Sequence, residues 1–293
     1  AWQDSIPCIF LSGQVRSEHM SYGKKIRQLG TQEVPILNIV KPITKETYLI
    51  NDKERAPDII HNAIKTAISG RPGPVLIDIT KDAQFELMEF KYKKCHSIRS
   101  YTPIPKFSIN EINKAAELIN SSKKPFIVWG QGVTLGNAET EFKEFIEKTG
   151  IPAASTILGL SALSTDHPLH VGMLGMHGNY GPNVLTNECD VLIAIGMRFD
   201  DRVTGNLETY AKQAKIIHFE IDPAEVNKNV EVDVPVLGSV KETLPKILEL
   251  VNKNSHKTWL NKFKSFYKLE YEKVIKKDIY PTKVGLNMAE VIR

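Results

Sequence analysis

The longest apolar runs in this sequence, such as VLIAIG at 191–196, stop far short of the roughly 20 residues that a bilayer-spanning helix needs. Cysteine is scarce. Cys8, Cys95 and Cys189 stand far apart, with no CxxC and no Cys/His spacing, which argues against a zinc site or a disulfide framework. Reduced thiols in a cytoplasmic compartment are the expectation. No signal peptide is expected. The net charge is only +4, and no basic stripe with interleaved aromatics occurs, so nucleic acid is not an expected partner. Gly-x-Ser-x-Gly is absent, and no nucleophile–base pair or triad order stands out. The chain opens at AWQDSIPCIF without methionine, which reads like the middle of a domain; further sequence is expected on that side.

What is present reads as a globular protein. At 293 residues, 42% hydrophobic and 25% charged, the chain suffices for one large domain or about two ordinary ones. IPCIFLSG (6–13) reads as a buried strand and its turn. The polar stretch after it reads as a loop with a short helix at 23–29, and KPITKETYLI as another strand. In 55–69, Ile59, Ile60, Ala63, Ile64, Ala67 and Ile68 recur at helical spacing until Gly70. VLIDI (75–79) is apolar throughout, as in a parallel sheet. Residues 81–107 show no periodicity and read as a linker. Beyond them Ser108 is the expected N-cap of a helix. Strands PFIVWG (125–130), IPAAST (151–156), VLIAIG (191–196), IIHFEID (216–222) and VPVLGS (234–239) follow, with helices at 137–149 and 240–252. A basic helical tail spans 255–278, and NMAEVIR starts another helix. Strands alternating with helices predict an α/β fold of doubly wound parallel sheets.

Ligands of such sheets bind beyond the carboxyl ends of the strands. GMRFDDRVTG (196–205) sits at such an end, where Arg198 or Arg202 suits phosphate or carboxylate and Thr204 is a candidate helix cap. An Asp–Arg network that merely closes the strand is an equal alternative. GQGVTLG puts Gly130, Gly132 and Gly136 near the dinucleotide fingerprint but with one residue extra, so a plain strand-to-helix turn is the stronger reading. Glu220 and Asp222 suit ribose hydroxyls, or are solvated carboxylates. LGMHGNYGP (174–182) brings three glycines to His177 and Met176; taken singly, a structural histidine and a core methionine are expected. Together these exits suggest an extended nucleotide.

LGMHGNYGPNV, GMRFDDRVTG, IDPAEVNKN and SGRPGPVLIDITKD resemble the large catalytic subunits of the acetolactate synthase (acetohydroxyacid synthase) family, most strongly over about 55–250. The resemblance implies a central, DHS-like (Rossmann-like) FAD-binding domain at 104–253. Residues 1–90 would be the later half of a thiamine diphosphate pyrimidine-binding domain, 91–103 a linker, 254–278 a helical linker, and 279–293 the start of a pyrophosphate-binding domain. FAD contacts are implied at Gln131, Gly132, Thr156, Ile157, Leu174, Gly175, Met176, His177, Gly196, Met197, Arg198, Phe199, Asp200, Glu220, Ile221, Ser239 and Val240. The flavin is then structural, doing no net redox work. Gln32 resembles the glutamine lining the active site; Arg202 would meet the carboxylate of a second 2-oxo acid, and Asp201 and Met176 would line the access channel. The implied reaction condenses two pyruvates, or pyruvate and 2-oxobutyrate, with loss of CO₂, on thiamine diphosphate and Mg²⁺. Active sites between subunits imply a homodimer or homotetramer, with a regulatory small subunit as a further partner.

Three departures stand beside this. The family's catalytic glutamate falls upstream of residue 1, and no GDG…N motif for Mg²⁺ and diphosphate occurs, so no metal ligand is assigned. A chain of only these residues is not expected to turn over pyruvate. Thr31 stands where the family carries phenylalanine, and the longer loop RSEHMSYGKKIRQLGTQE resembles thiamine-dependent enzymes of sugar or carboligase pathways. The family's FAD arginine of the linker falls near Tyr101 and Thr102, with Arg99 its substitute. The alternatives are therefore another thiamine-dependent carboligase and a non-catalytic nucleotide-binding module.

Overall fold

The computed structural model describes residues 1–90, 98, 103–280, 288 and 291. The chain divides into two compact units, residues 1–104 and 105–293. Most of the 91–103 linker with Tyr101, Thr102 and Arg99, and the stretch from 281 onward, NMAEVIR with it, except Met288 and Val291, lie outside the described residues.

In the first unit, β1 (Cys8–Gln14), β2 (Glu46–Ile50) and β3 (Pro74–Thr80) form a parallel sheet in the order β1-β3-β2. β3 lies between the other two strands, and all but one of its residues are buried. The strand expected at 6–13 forms but is not buried. As an edge strand paired only with β3, it leaves Phe10 and Leu11 52% and 67% exposed. Helix Ala56–Ile68 turns Ile59, Ala63 and Ala67 onto β3. Ile60, Ile64 and Ile68 form a neighbouring i,i+4 stripe that faces outward, so the buried face is narrower than the apolar pattern. No helix forms at 23–29. The Glu33 carboxylate takes the N–H groups of Ser21 and Leu29, drawing those donors away from helical carbonyls. A short helix, Lys81–Phe85, forms at the start of the stretch read as linker.

The second unit is built on six parallel strands: β4 (Pro125–Trp129), β5 (Ala153–Ser155), β6 (His170–Met173), β7 (Val191–Ile195), β8 (Lys215–Glu220) and β9 (Val234–Leu237). Their order is β6-β5-β4-β7-β8-β9, which reverses direction between β4 and β7. Both faces are covered. Ile127, Trp129, Ile193, Ile195, Ile217 and Phe219 point to one core, with helices Ile109–Ser121, Glu139–Thr149 and Val240–Leu250. Phe126, Val128, Leu192 and Ala194 point to the other, where Leu185, Trp259 and Phe263 meet them. Alternation along doubly buried strands explains why they read as unbroken apolar runs.

Helix Lys257–Glu270, in the tail read as a linker, is part of this core. Trp259 and Phe263 are almost wholly buried, and Trp259 Nε1 donates to the Pro125 carbonyl at 2.9 Å. Ser108 stands at the N-cap of Ile109–Ser121, but only its carbonyl serves, accepting from Ile112 N–H; its hydroxyl makes no cap bond. β6, helix Gly132–Leu135 and helix Tyr180–Leu185 were not legible in the periodicity, since each spans only four to six residues.

Candidate functional site

Because all six strands run parallel, their carboxyl ends share one edge of the sheet. Gln131 and Gly132 follow β4, Thr156 and Ile157 follow β5, and Leu174 to His177 follow β6. Gly196 to Asp200 follow β7, Glu220 ends β8 with Ile221 after it, and Ser239 and Val240 follow β9. Backbone bonds stitch neighbouring exits together. Leu174 N–H donates to Ser155 O (2.9 Å), Thr156 N–H to Trp129 O (2.8 Å) and Gly132 N–H to Gly196 O (2.8 Å). Gly196 N–H donates to Phe219 O and Gly238 N–H to Glu220 O, both at 2.9 Å. Residues far apart in sequence thus form one continuous rim.

At the reversal between β4 and β7 the chain closes on itself. A Cβ on Gly132 would stand 2.6 Å from Gly196 Cα, and one on Gly130 would stand 2.6 Å from Gly196 O. Gly196 itself has φ +56°. The glycines therefore serve backbone-on-backbone packing, as the strand-to-helix alternative had it, and the Gly132 N–H is already committed.

GMRFDDRVTG alternates. Met197 and Phe199 are buried, whereas Arg198 and Asp200 are half-buried at the rim. Arg198 Nη2 lies 3.7 Å from Asp200 Oδ2. Asp200 is the N-cap of the short helix Asp201–Thr204: its Oδ1 accepts from Arg202 N–H at 3.1 Å. Thr204, the expected cap, instead ends that helix and donates its hydroxyl to Asp200 O. The Phe199 ring packs edge-on against His218 and Tyr210, so only its backbone is left for a ligand. Leu174 and Val240 are likewise core side chains.

Met176 is not core; it is 61% exposed. Its N–H donates to Arg202 O at 2.8 Å, and Arg202 Nη1 reaches its sulfur at 3.6 Å. Asp201 Oδ2 stands 3.9 Å from Arg202 Nε. Met176, Asp201 and Arg202 thus meet, exposed, at one end of the rim. His177 is exposed and makes no hydrogen bond among the described residues. Glu220 is buried. Its Oε1 accepts from Ile221 N–H (2.9 Å) and Asp222 N–H (3.1 Å), while Oε2 faces His218 Nε2 at 3.5 Å. Asp222 caps the turn Pro223–Glu225 through Ala224 N–H.

In the first unit Gln32 is exposed and lines a cavity of about 340 Å³ with Val15, His19, Leu29, Gly30 and Thr31. The next residue, Glu33, holds the loop. Its carboxyl is lowered from the ordinary value by Leu29 N–H first, then by the Ser21 hydroxyl and N–H. Beneath it, buried Asp78 accepts from Ser12 Oγ (2.7 Å) and Gln14 Nε2 (2.9 Å), and Gln14 Nε2 also reaches Val34 O (2.8 Å). Glu33, Asp78 and His218 were missed as site-organising residues. The readable signal was a polar residue alone in an apolar strand: Asp78 in VLIDI, His218 in IIHFE.

Residues 112–247 match the model for "Thiamine pyrophosphate enzyme, central domain". Around them, the chain is similar to acetolactate synthase large subunits. That of Buchnera aphidicola subsp. Schizaphis graminum is 38% identical over 97% of this chain and 50% of its own length. That of Corynebacterium glutamicum is 39% identical over 87% of this chain and 40% of its own. The isozyme 3 large subunit of Escherichia coli K12 is 34% identical over 87% and 44%. The chain spans about half the length of the curated relatives it matches. The six-stranded sheet and its rim fall inside the matched segment. Among the described residues no three His, Cys, Asp or Glu side chains gather to hold a metal ion, and no helix is long and apolar enough to cross a membrane. Cys8 and Cys189 are free thiols.

Proposed function

We propose that this chain works within an acetolactate synthase large subunit, a cytoplasmic thiamine diphosphate-dependent transferase. Its reaction condenses two pyruvates, or pyruvate and 2-oxobutyrate, for the biosynthesis of valine and isoleucine. The observation that carries the reading is the convergence of six strand exits into one rim, in a chain 38% identical to such a subunit. The rim suits FAD. Glu220 Oε2 is an acceptor for ribose hydroxyls, and Arg198 a cation for the diphosphate. Exposed Ile157 and Met176 offer apolar surface to a ring system. Thr134 Oγ1 and Ser155 Oγ, close to the exits of β4 and β5, are buried without partners among the described residues, and a bound ligand would satisfy them. Gln131, Thr156, Leu174 to His177, Gly196 to Asp200, Ile221 and Ser239 complete the cradle, largely through backbone. Bound flavin is a retained structural cofactor in this reading.

Thiamine diphosphate with Mg²⁺ supplies the decarboxylation and carbon–carbon bond chemistry when bound. The described residues offer no metal-ligand cluster, so no step of that chemistry is assigned to them. Their part is binding: Arg202 pairs with the carboxylate of the 2-oxo acid, Met176 and Asp201 flank its approach, and Gln32 lines the reacting pocket. Residues 1–90 are read as the pyrimidine-binding side, 104–253 as the FAD domain, 254–278 as the stretch leading out of it, and 279–293 as the start of the pyrophosphate-binding side. The relatives' name, large subunit, supports a small regulatory partner, and the enzyme is read as a homodimer or homotetramer. The test is direct. Purified full-length protein carries a flavin absorbing near the visible blue, and with pyruvate, thiamine diphosphate and Mg²⁺ it forms acetolactate. Flavin-free protein that forms none under those conditions overturns the reading.

A further inference from the structure

We infer that His218 is a positioning residue that locks the β7 exit to the β8 exit and so presets the nucleotide rim. His218 is wholly buried, the one polar side chain among the apolar residues IIHF of β8. Its Nε2 stands 2.9 Å from the Met197 carbonyl. A carbonyl only accepts, so Nε2 carries the hydrogen. The same nitrogen lies 3.5 Å from Glu220 Oε2. The ring also meets Phe199 edge-on, with centroids 5.0 Å apart.

One imidazole therefore bonds the Met197 backbone, packs on the Phe199 ring and stands against the free oxygen of Glu220. The first two lie on alternate residues of 196–200. Holding them inward leaves Arg198 and Asp200 at the rim, because side chains alternate along extended backbone. The third belongs to the carboxylate read above as a ribose acceptor, whose other oxygen is held by Ile221 and Asp222 N–H. An apolar residue at 218 would bury the Met197 carbonyl without a donor and free the segment to turn. His218 touches no substrate; it acts through Met197 and Glu220.

The consequence for FAD rests on the flavin reading, whereas the lock itself does not. The geometry separates two near-isosteres. Glutamine carries its amide nitrogen at the reach of Nε2, and asparagine only at the reach of Nδ1. In the full chain, with folding checked by thermal melting, His218→Gln is expected to bind FAD within about threefold of wild type. His218→Asn and His218→Leu should bind about tenfold or more weakly, with an altered visible circular dichroism of the bound flavin. Amide hydrogen exchange over 196–204, measured without FAD, should be wild-type in His218→Gln and faster in the other two. If wild type binds no FAD but exchange follows that order, the flavin reading falls and the lock stands. Folded His218→Asn and His218→Leu proteins that match wild type in exchange overturn the lock.

Discussion

Tyr210 buries its hydroxyl beside Phe199 with no partner among the described residues. Burial also drives its ionisation far up, followed by the influence of Cys189, so the phenol stays neutral. Leaving a hydroxyl unpaired costs stability, so Tyr210→Phe should raise it by about 1 kcal/mol, read as a higher urea midpoint at unchanged slope. Cys189, nearby, is pushed up to about 12, by burial first and by the Asp190 charge second. It should resist iodoacetamide in native protein and react only after unfolding, as peptide mapping by mass spectrometry will show. Neither side chain announces this in sequence, where Tyr210 lies in a polar loop. Arg202 stands exposed beside Met176 and Asp201, where its type suits the proposed carboxylate. Its guanidinium is largely exposed and gives little to stability. Arg202→Ala should therefore raise the KM for pyruvate about tenfold or more while shifting the melting temperature little. A fallen kcat at constant KM would remove it from the carboxylate.

At the scale of elements, the exits of strands such as β4 and β7 were readable because an apolar run ending in glycine or charge marks where a buried strand meets the surface. The glycines' purpose was not readable. GQGVTLG looks like a ligand loop, yet Gly132 and Gly196 press together. Gly196→Ala adds a left-handed residue at φ +56° and a Cβ 2.8 Å from Gly132 backbone. The expected loss is about 3 kcal/mol, measured by chemical denaturation. The 16–33 loop went wrong for a related reason: a carboxylate, not a helix, organises it. The same device recurs at helix Lys81–Phe85. Burial opposes ionisation of Asp82, but the Ser17 hydroxyl and N–H and the Thr80 hydroxyl outweigh it, lowering the group from 3.8 to about 2. A depressed carboxyl stabilises the fold fully above its unfolded value and loses that contribution as pH falls through its folded one. Asp82→Asn should thus be less stable than wild type at neutral pH. The two melting curves should converge between about pH 4 and 2. Parallel curves throughout would show that the Ser17 bonds do not favour the ionised form.

At the scale of the molecule, the alternation of helix and strand was enough for a doubly wound sheet, but not for its strand order. Five of the six strands of the second unit stood out as apolar runs; β6, half-buried HVGM at the sheet edge, did not. Order depends on which crossover passes over which face, and that is settled by packing between segments a hundred residues apart. Trp259 shows it best. The basic tail reads as a helical linker, yet the Trp259 indole closes the core beneath β4 by bonding Pro125 O. The second unit therefore needs the tail. Residues 105–280, carrying both cores and helix Lys257–Glu270, should melt in one cooperative transition, whereas 105–253 should not hold the second core together. FAD offers the functional half of the test. A ligand bound only by folded protein stabilises it by about 2.7 kcal/mol at a hundredfold excess over Kd. The 105–280 protein should therefore melt higher as FAD is raised, with a midpoint that keeps climbing with concentration. If it folds cooperatively but its midpoint ignores FAD and ADP alike, the rim along the six strand exits is closed to nucleotides, however well its residues converge.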